Sequence, residues 1–331
     1  MHQPSPSSLV PSPLIIWRFT DGKPGHENQS AGLVQALRAL RPVEAHDIPV
    51  PGEIAAFGAW LTARFPWGRT LPAPDLLIGA GHATHWPLLA ARRARGGRAV
   101  VLMRPTLPTG CFDLCAVPAH DRPRAAANVL VTRGVLNRVR PGVAKDPRQG
   151  LILIGGPSQH HAWSTAGMVE QVRAVVAHDA GRRWVLTTSR RTPADFLDAL
   201  RRQLDAGIDP GIDSGIDDGR IELVPGETTA PDWLPAQLAW AGAVWVSADS
   251  VSMIYEALTS GAAVGLLEVP ARGRDRVVRG VEALVDEGLL TTYSQWLEGA
   301  ELRAPKQPFD EAARTAREIV ARFFAADAQA S

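Results

Sequence analysis

The fold is predicted most directly by the stretch AVWVSADSVSMIYEALTSGAAVGLL, residues 243–267. The apolar run at each end has the length and the β-branched or leucine content of a buried strand, and the segment between them has the length of a short helix. Asp249 and Ser250 are of the residue types that begin helices, and Gly261 is of the type that most often ends them. A strand, a helix and a strand in this order are typical of a parallel sheet covered by helices.

The same alternation continues in both directions along the chain. Before a break at residues 138–150, the candidate strands are 14–19, 43–48, 75–79, 99–103, 112–117 and 128–131, and the candidate helices are 30–40, 53–65 and 84–95. After the break, the candidate strands are 151–154, 183–188, 220–224, 243–247 and 263–267. The sequence therefore predicts an α/β protein with two Rossmann-like, doubly wound domains.

The domain boundaries follow from composition. Residues 1–13 are rich in Pro and Ser and are expected to form a disordered tail. We place an N-terminal domain at 14–140 and a C-terminal domain at 151–305. The polar segment between them, which contains Pro and Gly, is expected to be a linker over residues 141–150.

Length and charge exclude several classes of protein. A chain of 331 residues is long enough for two domains, and a net charge of +1 offers no broad positive field for nucleic acid. No stretch reaches the 18 or so apolar residues that a membrane span needs, and the N-terminus lacks the features of a secretory signal. Two cysteines form no disulfide framework, so we expect a cytoplasmic protein.

Ligands of open α/β sheets bind beyond the carboxyl ends of the strands, so the polar residues that follow each predicted strand are candidates for a site. The motif DGKPGHENQ, residues 21–29, follows the first strand. A histidine titrates near neutral pH, so His26 is a candidate general base and Asp21 a candidate to orient it. His120 and Asp121, beyond the fifth strand, are alternatives for this role. The alternative interpretation of the motif is a capped turn between strand and helix.

In the second half, GGPS follows a buried strand and precedes a helix. Gly155 and Gly156 allow close backbone approach to a phosphate, and Ser158 adds a hydroxyl. Beyond the next strand, the motif TTSRRTP adds a hydroxyl and positive charge through Ser189, Arg190 and Arg191.

A more specific candidate is the helix start within residues 243–267. Asp249, Ser250 and Ser252 are expected to cap and open the helix, where hydroxyls and free amides suit a diphosphate. Glu256 lies one turn further along and has the carboxylate needed to accept hydrogen bonds from a ribose diol. The alternative interpretation is an ordinary helix cap and a surface glutamate.

The chain resembles the mitochondrial-fission protein family named after elongated plant mitochondria, which has many bacterial members. The resemblance spans residues 14–324 and is carried by five motifs: DGKPGHENQ, PAHD, GGPSQHHAW, TTSRRTP and SADSVSMIYEALTSG. That family is similar to the two-domain GT-B glycosyltransferases, especially the N-acetylglucosaminyltransferase of the peptidoglycan pathway. In that enzyme a Gly-His loop follows the first strand of the acceptor domain, and a ribose-binding Glu lies on a donor-domain helix. The resemblance assigns these roles to Gly25, His26 and Glu256.

The resemblance implies a glycosyltransferase that takes a sugar from a nucleotide-diphosphate sugar and passes it to an unknown acceptor, in the envelope or linked to a lipid. It also implies that the N-terminal acceptor domain and the C-terminal nucleotide-sugar domain face a cleft, and that residues 306–331 form a helix that packs back toward the N-terminal domain. We expect no metal or other cofactor, because GT-B enzymes stabilise the leaving diphosphate with amides and helix dipoles and this chain has no Asp-x-Asp motif. Two alternatives stay open: a non-catalytic adaptor that recruits a partner to a membrane, and a nucleotide-sugar epimerase or hydrolase.

The segment FGAWLTARFPWGR, residues 57–69, combines four aromatic residues with Arg64 and Arg69. This composition is typical of a segment that rests on an anionic bilayer, and the alternative is core packing of an ordinary helix. We therefore expect a peripheral contact with the inner membrane.

Overall fold

A computed structural model of the chain describes residues 12–142, 144–179, 181–205, 220–230, 232–274, 276–307 and 309–325. These residues divide into two compact units. Unit 1 runs up to Arg138 and resumes at Glu311, and unit 2 is Val139–Asp310. Each unit has one six-stranded sheet in which neighbouring strands are parallel, which confirms the predicted fold class. Of the predicted tail, residues 1–13, all but the last two lie outside the described residues.

Unit 1 begins with a repeated strand-and-helix pattern. Its strands are β1 (Leu14–Thr20), β2 (Val43–Pro49), β3 (Leu76–Ala80), β4 (Arg98–Leu102), β5 (Leu114–Pro118) and β6 (Val129–Thr132), and its first helices are α1 (Pro24–Arg38), α2 (Glu53–Thr62) and α3 (His85–Arg95). The strands lie in the order β2-β1-β3-β4-β5-β6. The central strands are apolar throughout because helices cover both faces of the sheet.

Helix α1 begins earlier than the predicted residue 30. Its first helical residue is Pro24, and Lys23 is the N-cap. Proline is favoured in the first turn of a helix, where its missing N–H needs no partner. Part of the predicted loop motif is therefore helical, and His26 lies in the first turn of α1.

Unit 2 repeats the pattern of strands and helices. Its strands are β7 (Asp146–Ile154), β8 (Arg183–Thr188), β9 (Ile221–Val224), β10 (Ala241–Ser247), β11 (Ala263–Leu267) and β12 (Thr291–Thr292), and its helices are α4 (Thr165–His178), α5 (Phe196–Asp205), α6 (Trp233–Trp240), α7 (Val251–Ser260), α8 (Arg276–Asp286) and α9 (Tyr293–Leu297). The strands lie in the order β12-β11-β10-β7-β8-β9. The two-residue strand β12 was not predicted from the sequence.

The predicted linker over residues 141–150 is wrong in its second half, because β7 begins at Asp146. Gln149 and Gly150 pair with Arg183 and Trp184 of β8. A Cβ atom on Gly150 would lie 2.2 Å from the Trp184 ring, so the indole packs across this glycine. Residues 146–149 are the partly exposed start of this strand, and Gly150 is buried within it.

The last described helix, α10 (Glu311–Phe323), belongs to unit 1. Its apolar residues Ala312, Ala316 and Ile319 are buried in the same core cluster as Leu33 and Leu37 of α1. The chain therefore returns to unit 1 after completing unit 2. Among the described helices, none is long and apolar enough to cross a bilayer.

Candidate functional site

Each sheet has one place where the chain changes its direction of winding. In unit 1 the chain passes from β1 to β2 on one side and then crosses to β3 on the other. In unit 2 it proceeds from β7 to β9 on one side and then crosses to β10 on the other. The carboxyl ends of β1 and β3, and those of β7 and β10, therefore flank the crevices where α/β proteins bind ligands.

At the unit 1 switch point, a histidine and an aspartate form a hydrogen-bonded pair. The Nδ1 atom of His26 lies 2.8 Å from Oδ2 of Asp21. The Lys23 N–H also donates to Asp21 Oδ1, at 3.2 Å. Because β1 ends at Thr20 and α1 begins at Pro24, a short connection places both side chains at the sheet edge. The predicted partnership of Asp21 and His26 is thus present in the structure.

The environment of Asp21 determines which tautomer of His26 is favoured. Burial by itself raises the pKa of the Asp21 carboxyl, but the hydrogen bonds from the His26 ring and the Lys23 amide outweigh it and lower that pKa below its ordinary value. Asp21 is therefore a carboxylate at neutral pH and accepts the Nδ1–H of His26. This arrangement leaves the basic lone pair on Nε2.

Gly81, just beyond β3, makes room for the His26 ring. A Cβ atom at Gly81 would lie 2.3 Å from Cε1 of His26, and the backbone φ of +82° also favours glycine. Gly81 was not among the residues predicted from the sequence. The only sequence signal was a glycine directly after a buried strand.

A second histidine near this edge has a packing role. His85 is buried, its Nδ1 atom lies 3.1 Å from Thr106 Oγ1, and its ring packs against Phe112. Burial, followed by the nearby His82, lowers the pKa of His85 to about 4. His85 is therefore neutral at physiological pH.

The structure does not bring His120 and Asp121 to the unit 1 switch point. They form a short 3-10 turn after β5, three strands away from β1. At about 4.8 Å per strand, this separation is roughly 14 Å. Asp121 is buried, and its carbonyl accepts a hydrogen bond from Arg104. His26 is therefore the better-placed candidate base.

In unit 2, the glycine turn after β7 lies against the end of β10. The Gly155 N–H donates to Ser247 Oγ at 2.7 Å, and the Gly156 N–H donates to Asp249 Oδ2 at 2.9 Å. A Cβ atom would lie 2.2 Å from Asp249 Oδ2 at Gly155 and 2.1 Å from the Arg191 carbonyl oxygen at Gly156, so both positions need glycine. The two amides expected to face a phosphate are occupied by internal acceptors.

Arg191 is the arginine held over this glycine turn. Its Nη1 atom donates to the carbonyls of Gly156 at 2.9 Å and Pro157 at 3.1 Å, and its Nη2 atom donates to Asp249 Oδ2 at 2.8 Å. Arg190, the other predicted arginine, is exposed to solvent. Because the two arginines are adjacent in the sequence and of the same residue type, the sequence alone could not predict which of them contacts the glycine turn.

Two predicted serines stabilise turns. Ser189 Oγ accepts from the Arg191 N–H at 3.2 Å, which fixes the loop after β8. Ser158 Oγ accepts from the N–H groups of His160 at 3.3 Å and His161 at 3.2 Å. Both hydroxyls therefore accept hydrogen bonds from backbone N–H groups of nearby residues.

Helix α7 begins as predicted, with Ser250 as N-cap and Gly261 as the left-handed residue that ends it. The Ser250 side chain makes no capping hydrogen bond, and the Asp249 carboxylate is bound to Gly156 and Arg191 instead of capping the helix. Ser252 is exposed and Glu256 is half-buried. A spacing of four residues places Ser252 and Glu256 on one face of α7.

Two Rossmann-like units, each with polar side chains at its switch point, define a protein of the GT-B fold. A putative UDP-N-acetylglucosamine 2-epimerase from Listeria monocytogenes shares the fold with a TM-score of 0.57, at 16% identity over 96% of this chain and 98% of that chain. The UDP-GlcNAc 2-epimerase of Methanocaldococcus jannaschii does so with a TM-score of 0.54, at 10% identity over 94% of this chain and 100% of that one.

The chain belongs to the mitochondrial fission ELM1 family, whose model matches residues 24–323. The family and the GT-B likeness predicted from the five motifs are thereby confirmed. No curated protein matches the chain in sequence.

Proposed function

We propose that this protein is a glycosyltransferase that binds a nucleotide-diphosphate sugar in unit 2 and activates a hydroxyl acceptor in unit 1. The observation that carries the proposal is the Asp21–His26 pair at the unit 1 switch point. A histidine oriented by an ionised carboxylate is an arrangement suited to removing a proton from a hydroxyl. Unit 2 has a second group of polar residues at its own switch point, so each of the two proposed substrates has a candidate site.

In the proposed reaction, Nε2 of His26 takes the proton of the acceptor hydroxyl as its oxygen attacks the anomeric carbon of the sugar. The bond from that carbon to the diphosphate oxygen breaks, and the nucleoside diphosphate leaves with the electron pair. Asp21 stabilises the imidazolium that forms. The acceptor is assigned only to a broad class, an envelope or lipid-linked hydroxyl compound.

In unit 2, the proposal assigns the leaving diphosphate to the start of α7 and to Arg191. The first turn of a helix presents backbone N–H groups and the positive end of the helix dipole, and a guanidinium binds phosphate oxygens with two donors. Glu256 is assigned to the ribose diol, and Ser252 on the same face to the diphosphate. This assignment uses groups of the chain alone and calls for no metal.

The first test is binding of the donor. Thermal unfolding is followed with a panel of nucleoside diphosphates and their sugars, and the matching ligand should stabilise the protein by about 2.7 kcal/mol at a hundredfold excess over its Kd. The nucleosides without phosphate serve as controls. An unchanged melting temperature with every nucleotide would contradict the proposal.

Incubation with the identified sugar nucleotide then separates the enzyme classes. A transferase leaves the sugar unchanged until an acceptor is added, whereas an epimerase or hydrolase alters the sugar nucleotide without one.

A second candidate function, a membrane adaptor, is favoured by an exposed apolar face on α2. Ile54 is 91% exposed and Leu61 is 55% exposed, and Phe57 between them is also exposed. Spacings of three and four residues put all three on one side of the helix. Trp67, just beyond α2, is exposed as well. The alternative of core packing holds for Phe65, which is buried in the core, and for Trp60, which packs against that core, but not for this exposed face.

Arginines lie close to α2 in the sequence and in the structure. Arg64 and Arg69 are exposed, and the Arg93 guanidinium lies 5.2 Å from the centre of the Trp60 ring. Glu53, at the start of the helix, is acidic, and its Oε1 atom lies 3.9 Å from Nε2 of His82. Apolar side chains beside arginines match an anionic bilayer. We therefore propose a cytoplasmic protein that contacts the membrane peripherally through α2, in either candidate function.

Vesicle binding tests this contact. The protein should sediment with vesicles of phosphatidylglycerol and remain in solution with vesicles of phosphatidylcholine. The double substitution Ile54→Glu, Leu61→Glu should lower the bound fraction about tenfold or more, because each apolar side chain contributes roughly 1.5 to 3 kcal/mol when buried. Leu297→Glu, at a residue of unit 2 that is 61% exposed, is the matched control. Equal sedimentation of the double variant and the control would exclude the α2 face.

A further inference from the structure

The carboxylate of Asp249 lies at the unit 2 switch point and is enclosed by protein. Its Oδ2 atom accepts hydrogen bonds from the Gly156 N–H and from Arg191, and its side chain has no exposed area. Its Oδ1 atom is also buried and has no hydrogen-bond partner among the described residues. Buried polar atoms almost always have a partner, and a carboxylate can accept hydrogen bonds at both of its oxygens. The Asp249 carboxylate therefore has fewer hydrogen-bond donors than it could accept.

The two groups that bind Asp249 are of the kind that bind phosphate. A backbone amide in a glycine turn and a planar guanidinium both donate readily to anionic oxygens. Arg191 is kept over the turn by its hydrogen bonds to the Gly156 and Pro157 carbonyls. The Arg191 side chain is 42% exposed, so the guanidinium borders on solvent, whereas the Gly156 amide and the Asp249 carboxylate are buried.

We propose that Asp249 is an internal anion that occupies the Gly156 amide and Arg191 when no ligand is bound and competes with anionic ligands for them. The proposal rests on the proposed function in one respect, namely that the donor diphosphate is the natural anion. The unpartnered Oδ1 atom supports it, because the carboxylate loses only two donors when it is displaced.

Charge also supports this competition. The Asp249 carboxylate offsets the positive charge of Arg191, so an arriving anion meets a guanidinium that is already paired. Binding of a diphosphate would therefore be weaker, and its release easier, than at the same donors without Asp249. Asp249 thus lowers the affinity of the site for a diphosphate, and its carboxylate does not cap α7.

The substitution Asp249→Asn tests the idea, because an asparagine keeps the side-chain shape and one acceptor oxygen but removes the charge. Calorimetry with inorganic pyrophosphate should show binding about tenfold tighter than in the unsubstituted protein, and a nucleoside diphosphate should show the same change. A nucleoside without phosphate should bind equally to both proteins. Asp179→Asn, which removes another arginine-paired carboxylate of unit 2, should leave the affinities unchanged.

Several outcomes decide the question. Unchanged or weaker pyrophosphate binding by Asp249→Asn, with an unaltered melting temperature, would overturn the proposal. If Asp249→Asn does not fold, Asp249→Ser provides the same comparison with a smaller acceptor. Failure of the proposed function is distinguishable: neither protein would then bind any nucleoside diphosphate, while the pyrophosphate comparison would still decide the role of Asp249.

Discussion

Substitution of His26 by alanine is expected to lower the rate of sugar transfer by about 10²- to 10⁴-fold, the usual effect of losing a general base. Binding of the sugar nucleotide should change little, because His26 belongs to unit 1 and the proposed donor site lies in unit 2. Release of the nucleoside diphosphate measures the rate, and calorimetry measures donor affinity. The expected result is thus a loss in kcat with an almost unchanged Kd for the donor.

Two further variants make the result specific. Gly81→Ala would place a methyl group 2.3 Å from the His26 ring, so it should lower the rate by displacing the ring while keeping the histidine. His46→Ala removes a histidine of β2 that pairs with Glu44, and it should leave the rate unchanged. Full activity of His26→Ala would show that another group takes the proton.

The second large effect is expected for Glu256. Glu256→Ala should weaken binding of the nucleoside diphosphate by about tenfold to a hundredfold or somewhat more, because hydrogen bonds to a charged acceptor contribute roughly 1.5 to 3 kcal/mol. Calorimetry gives the affinity, and thermal unfolding shows that the variant is folded. The 2′,3′-dideoxy nucleotide provides a direct check. It lacks the ribose hydroxyls, so the substitution should not weaken its binding further.

The control for Glu256 has to be a glutamate remote from the site. Glu282 is unsuitable, because it pairs with Arg274 and lines a cavity of about 270 Å³ that also includes Ala248 and Glu268 at the ends of β10 and β11.

Glu170 is exposed on α4 in the same unit, so Glu170→Ala should bind the nucleotide normally. Equal affinities of the Glu256 and Glu170 variants would remove the ribose assignment and the main support for a nucleotide-sugar donor.

The strands of both sheets were largely predictable from local sequence. β8 and β11 have the predicted bounds, and β1 differs by one residue. A strand buried on both sides must be apolar along its length, and this requirement leaves a continuous signal in the sequence. β12, with only two residues, has no such signal. The start of β7 was missed because residues 146–149 are polar or proline and are partly exposed.

The candidate site was predictable in residue type and less so in arrangement. Asp21 and His26 are five residues apart, so a strand-to-helix connection brings them together whatever the rest of the fold does. Gly156 and Asp249, in contrast, are 93 residues apart and meet only because β7 and β10 are neighbours. Both residues were therefore predicted to contribute to a phosphate site, and no local feature of the sequence indicated that they bind each other.

The sequence by itself determined the alternation of strands and helices, the two-unit organisation and the family, because each depends on periodicity or on motifs that are local in the chain. Only the tertiary structure decided the order of the strands, and with it the position of the two switch points. That order places the His26 ring against Gly81. It also brings Arg191 within hydrogen-bond distance of Asp249, whereas Arg190 is exposed to solvent. Such contacts arise from the pairing of strands distant in sequence, and no local pattern of residues encodes that pairing.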